Sequence, residues 1–137
     1  MVTFVIAQPQ YEKIRDLAQQ YRLTLLVLFG SQATGKTHRE SDVDVAYSAE
    51  AALDTQDDIR INYELTLIFH TDHVDTVNLR HTPPLLLQQI ADEGIALYEK
   101  TGVEFAALQV YALRRFREAR PLFEIRREKL DAFVNAV

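Results

Sequence analysis
A chain of 137 residues without a cysteine has room for one hydrophobic core, and it excludes both a disulfide framework and a thiolate metal site. Hydrophobic residues at 47% and charged residues at 26% exclude a disordered chain, and a net charge of −5 speaks against a dedicated nucleic-acid binder. No run approaches the roughly 20 apolar residues that span a bilayer, and MVTFVIAQPQ lacks the basic start of a secretory signal, so the chain reads as cytosolic with no membrane partner. The charge is uneven: residues 1–100 hold 8 basic and 15 acidic side chains, residues 101–137 hold 7 and 5.

In chain order, Pro9 suits a first helical turn, and Tyr11, Ile14, Leu17, Ala18 and Tyr21 recur at helical spacing through residue 22. Leu25–Phe29 is an apolar run ending at Gly30 and reads as a buried strand. The polar stretch 31–41 reads as a loop or a short helical turn, and 42–47 (DVDVAY) alternates as a strand does. Asp54 or Thr55 caps a helix to about Phe69 with Ile59, Tyr63 and Leu67 on one face. Tyr47 and Tyr63 read as core. Residues 73–79 alternate again. Pro83 and Pro84 start a short helix that Gly94 ends, and 95–98 fit an edge strand. From about Val103 the pattern is helical, with Phe105, Leu108, Ala112 and Phe116 on one face. Pro121 is expected to break or kink that helix, after which Phe123, Leu130, Phe133 or Val134, and Val137 would face inward.

This order predicts an α/β domain, a small mixed β-sheet flanked by helices, with a C-terminal helical extension. Residues 1–100 form the core, and residues 101–137 form an extension packed on it.

The chemistry concentrates in LFGSQATGKTHRESDVDVAY, from Leu28. Gly30 lets a ligand approach the backbone at the end of a buried strand, and Ser31 adds a hydroxyl, a combination that suits phosphate. Asp42 and Asp44 lie two apart on a strand, so both side chains point to one face, where they repel unless a cation lies between them. Asp75 joins them as a third oxygen ligand if its strand is a neighbour. With no cysteine, oxygen ligands favour a hard ion such as Mg²⁺. Lys36 and Arg39 are candidate phosphate contacts balanced against ordinary loop charge. His38, His70, His73 and His81 form no recognisable ligand set.

The spacing from Gly30-Ser31 to Asp42-Val43-Asp44 resembles the nucleotidyltransferase signature of the DNA polymerase β superfamily. Ala33, Gly35, Ser41 and the run Ile90–Tyr98 resemble the minimal nucleotidyltransferase (MNT) pattern. The tail, with Arg114, Arg115, Phe116, Pro121 and Leu122, is similar to that of MNT antitoxins encoded beside HEPN-domain ribonuclease toxins.

This resemblance implies a nucleotidyltransferase fold and a protein adenylyltransferase that moves AMP from ATP to a tyrosine of the HEPN toxin, its partner, and so silences it. It also implies two Mg²⁺ on Asp42, Asp44 and Asp75, with Gly30 and Ser31 holding the triphosphate and Asp75 the general-base candidate. Two alternatives stand beside it. One is a small-molecule, antibiotic-type nucleotidyltransferase, which the short tail disfavours. The other is an antitoxin that acts by docking alone, which the intact carboxylate set disfavours.

Overall fold
The computed structural model describes residues 6–35 and 42–136. Its elements run α1 (Gln8–Gln20), β1 (Leu23–Phe29), α2 (Ser31–Thr34), β2 (Val43–Ala49), α3 (Thr55–Phe69), β3 (Val74–Asn78), a 3₁₀ turn (Leu79–His81), α4 (Pro84–Glu93), β4 (Ile95–Glu99) and α5 (Glu104–Ala136). The strands form one mixed sheet in the order β3-β2-β1-β4. β1 pairs antiparallel with both β2 and β4, while β2 and β3 pair parallel, joined by the α3 crossover.

β1 is central and buried on both faces, which is why it reads as a continuous apolar run rather than an alternating one. Leu26 and Leu28 face a cluster with Val43, Val45 and Tyr47 of β2 and the apolar sides of α1 and α3. Leu25, Val27 and Phe29 face the opposite way, against Ala46 and Ile90 of α4, with Phe105 and Leu108 of α5 packed alongside. Each fully buried Leu or Ile in these layers contributes roughly 1.5–3 kcal/mol.

The helix ends follow from local chemistry. Asp54 caps α3 by accepting from the Asp57 N–H at 2.7 Å, and the Asp57 carboxylate accepts in return from the Asp54 N–H at 3.2 Å. Gln10 accepts from the Ala7 N–H at 2.8 Å and donates to the Ile68 carbonyl at 2.9 Å, which ties the start of α1 to the end of α3. Gly94 ends α4 for want of space rather than through a left-handed turn. Its φ is −70°, and a Cβ there would run into the Ile90 carbonyl and the Val27 side chain.

Four expectations are corrected. The buried side of α3 carries Ile61, Leu65, Ile68 and Phe69, while Ile59, Tyr63 and Leu67 are exposed. Tyr47 is core, but Tyr63 is not. α3 is apolar on two sides, so helical spacing alone selects neither, and packing against α1 and the sheet makes the choice. α5 stays helical through Pro121, so the break, one of the two outcomes expected there, does not occur. The lost hydrogen bond and ring clash cost about 3 kcal/mol, and good helix formers on both sides offset that cost. Leu130, Phe133 and Val134 are exposed rather than inward, and Phe123 meets Phe116 of its own helix, ring centroids 6.1 Å apart. Val137 lies outside the described residues.

Candidate active site
β1 ends at Phe29, and Gly30 turns the chain directly into the single turn of α2, with φ +73° and ψ −152°. The Ala33 and Thr34 N–H groups both donate to the Gly30 carbonyl at 3.1 Å, which fixes the corner, and Ser31 opens the turn. A side chain at position 30 would collide with Asp44 Oδ2, so that carboxylate rests directly against the Gly30 backbone. The glycine is therefore required twice, by its positive φ and by the close approach of an acid.

Sheet register gathers the acids. Phe29 on β1 pairs with Asp44 on β2, and Asp44 pairs with Asp75 on β3. Directly paired residues share a face, so Asp44 and Asp75 stand side by side on the face that carries α4 and α5. Asp42, two residues before Asp44, belongs to the same parity. The Val43 N–H donates to the His73 carbonyl at 2.7 Å, which locks the start of β2 to the start of β3. The Asp44 carboxyl is held above its usual range, first by burial, then by the charge of Asp75, then by that of Asp42. Both neighbouring acids thus bear on Asp44 electrostatically.

Among the described residues, no three acidic or imidazole side chains stand close enough to make a ready metal cage. The donors that register brings to this face are carboxylate oxygens, which fit a hard divalent cation, and such an ion would relieve the repulsion at Asp44.

His73 is a neighbour that the sequence reading set aside. Its Nδ1 lies 3.8 Å from Asp42 Oδ1. The signal was present as the pair Asp42-x-Asp44 and His73-x-Asp75 at the starts of two adjacent strands. Lys36, Arg39, Ser41 and His38 lie outside the described residues. A cavity of about 510 Å³ opens at the far end of the same sheet face, lined among others by Ser48, Leu79, Arg80 and Tyr111. Ser48 is four residues along β2 from Asp44, roughly 13 Å at strand rise, so this cavity is separate from the acids.

The model of the polymerase beta nucleotidyltransferase family matches residues 12–102. The chain belongs to this family. The match runs from α1 past β4 and takes in the glycine corner and all three acids. The chain is also similar to the protein adenylyltransferase MntA of Aphanizomenon flos-aquae, with 30% identity over 94% of this chain and 92% of that protein. Among solved structures it is similar to a chain of a toxin–antitoxin crystal structure with AMP-PNP, at TM-score 0.73 and 27% identity, over 90% of this chain and 98% of that one. A chain in the structure of a tri-AMPylated Shewanella oneidensis HEPN toxin in complex with an MNT antitoxin shares the fold at TM-score 0.68 and 24% identity, over 93% of this chain and 98% of that one. The nucleotidyltransferase family thus accounts for the fold. No helix among the described residues is long and apolar enough to cross a membrane.

Proposed function
We propose that this chain is the antitoxin of a HEPN-type toxin–antitoxin pair and a protein adenylyltransferase that silences its toxin by moving AMP from ATP to a toxin tyrosine. The observation that carries this reading is the register pairing of Asp44 with Asp75 beside Gly30, a carboxylate set at a glycine corner within a family of nucleotidyltransferases. Similarity over nearly the full length of an MntA adenylyltransferase supports a protein as acceptor.

In the reaction, the tyrosyl oxygen attacks the α-phosphorus of ATP, a P–O bond forms, and the bond to the pyrophosphate oxygen breaks in line with it. The products are tyrosyl-AMP and pyrophosphate, and the phenolic proton passes to Asp75 as base. Gly30 and Ser31 receive the triphosphate where the backbone is closest to Asp44. Asp42, Asp44 and Asp75 supply oxygen donors for two Mg²⁺, which when bound polarise the attacking oxygen and neutralise charge on the departing pyrophosphate. Exclusion of water from the α-phosphorus falls to the docked toxin, because the three acids lie at an open end of the sheet face.

Incubation with ATP, Mg²⁺ and the HEPN toxin encoded beside this chain should add one or more AMP units to the toxin, each about 329 Da by this transfer chemistry. Asp42→Ala with Asp44→Ala should reduce transfer by at least 10³-fold, on the order of what loss of a metal-binding carboxylate pair costs, while the circular dichroism spectrum stays native. A toxin neutralised without any added mass would overturn the enzymatic reading in favour of docking. A small molecule modified in its place would move the chain to the antibiotic-type branch.

A further inference from the structure
We propose that the distal half of α5 is a docking helix whose occupant is an acidic amphipathic helix of the toxin, a partner identity that rests on the function proposed above. Beyond Ala112 no described residue of α5 belongs to any cluster of the hydrophobic core. Yet the helix continues for six further turns, and while Leu113 and Ile125 lie on other sides, a set of its apolar residues forms one stripe. Phe116, Ala119, Phe123, Arg126, Leu130 and Phe133 follow the alternating three- and four-residue spacing of a heptad seam. Ala119 and the paired rings of Phe116 and Phe123 are half-buried, and Leu130 and Phe133 are 61% and 68% exposed. Pro121 falls on the side of the helix opposite this seam, so the one residue that cannot hydrogen-bond along the helix does not interrupt it.

The charges say what covers the seam. Arg126 occupies a position that would be apolar in a self-pairing coil. Arg120, Arg127 and Lys129 flank the seam at the positions that choose a partner. Arg120 is engaged locally with Glu124 at 3.2 Å, while Arg126, Arg127 and Lys129 have no ion pair among the described residues. A second copy in parallel register would set Arg126 against Arg126 and leave the flanks without acids. A helix that presents apolar side chains, a carboxylate opposite Arg126 and acidic flanks satisfies all of these groups at once.

The test replaces Phe123 with photo-crosslinkable benzoylphenylalanine in the full-length chain, and separately makes Arg126→Glu and Leu130→Asp. The crosslink should form to an acidic helical segment of the HEPN toxin. Each substitution should weaken toxin binding at least tenfold by calorimetry, with binding of AMP-PNP unchanged as the sign of an intact fold. Crosslinking to a second copy of this chain, or toxin affinity unchanged in both variants, overturns the inference. The two readings fail separately. Normal AMP transfer and affinity in the seam variants leaves the enzyme standing and removes the seam, whereas a toxin that crosslinks at position 123 but gains no AMP leaves the seam standing and removes the enzyme.

Discussion

Asp44 stands where burial, Asp75 and Asp42 all oppose its charge. Its carboxyl is raised in the folded chain, so the fold holds that proton more tightly than the unfolded chain does. Stability therefore falls as pH rises through the interval from the ordinary carboxylate range to the raised value, and the deficit persists at neutral pH. Asp44→Asn keeps the shape and removes the charge. In metal-free protein it should raise unfolding free energy at pH 7 by up to about 1 kcal/mol, modest because the site is partly open to water. The gain should vanish below about pH 3, where Asp is protonated in both states. AMP transfer should be lost at every pH. Urea titrations at both pH values check this, and equal stability of the two proteins throughout would show that the three acids do not strain the fold. The chemistry of this residue was readable in the sequence, because two-residue parity in DVDVAY places Asp42 and Asp44 on one face. The partnership with Asp75 was readable only conditionally, because parity cannot say which strands are neighbours. The parallel pairing of β2 with β3 supplies that fact.

Elements are joined here by a small number of polar contacts set in apolar layers. Tyr47, buried in β2, donates from its hydroxyl to Asp58 Oδ1 of α3, a short hydrogen bond, and Asn78 of β3 donates to the same oxygen at 3.4 Å. Burial and the Asp58 carboxylate push the phenol well above its usual value, so it stays protonated in the fold after the unfolded chain would lose its proton near pH 10. Stability should therefore decline as pH rises above 10, and Tyr47→Phe should flatten that decline. The same substitution should cost about 1–3 kcal/mol at pH 7, because it takes a donor from a partly buried carboxylate, with AMP transfer retained per folded molecule. Thermal melts from pH 7 to 11 measure both effects, and an unchanged alkaline slope would exclude the phenol as its source. The sequence placed Tyr47 in the core but put Tyr63 there as well. Strand alternation marks one face unambiguously in β2, whereas α3 offers Ile59, Tyr63 and Leu67 at the same helical spacing as its true core side. Packing against the sheet and against α1, which Gln10 ties to Ile68, decides between them.

At the scale of the whole molecule, α5 serves two purposes along one helix of about 50 Å at standard rise. Its first third closes the sheet. Phe105 and Leu108 cover the β1 face, Ala112 is fully buried against α4, Gln109 donates to the Ala91 carbonyl at 3.2 Å, and the Phe105 N–H donates to Glu99 at 3.2 Å. Its last half contributes no residue to the core. An isolated helix of that length is marginal in water, so it gains little from the domain and gives little back. A chain ending at Arg120, which removes Pro121 and everything after it, should therefore unfold cooperatively with a free energy within about 1 kcal/mol of the full chain, as expected where the half-buried Phe116–Phe123 contact is lost but no core contact is. It should bind AMP-PNP as the full chain does, since Gly30 and the three acids are untouched. Its transfer to the HEPN toxin should fall through a raised KM for toxin rather than a lowered kcat, because docking is weakened while the reacting groups remain. Loss of cooperative unfolding would instead make the distal helix part of the fold, and a lowered kcat at unchanged KM would place that helix at the reacting end of the complex.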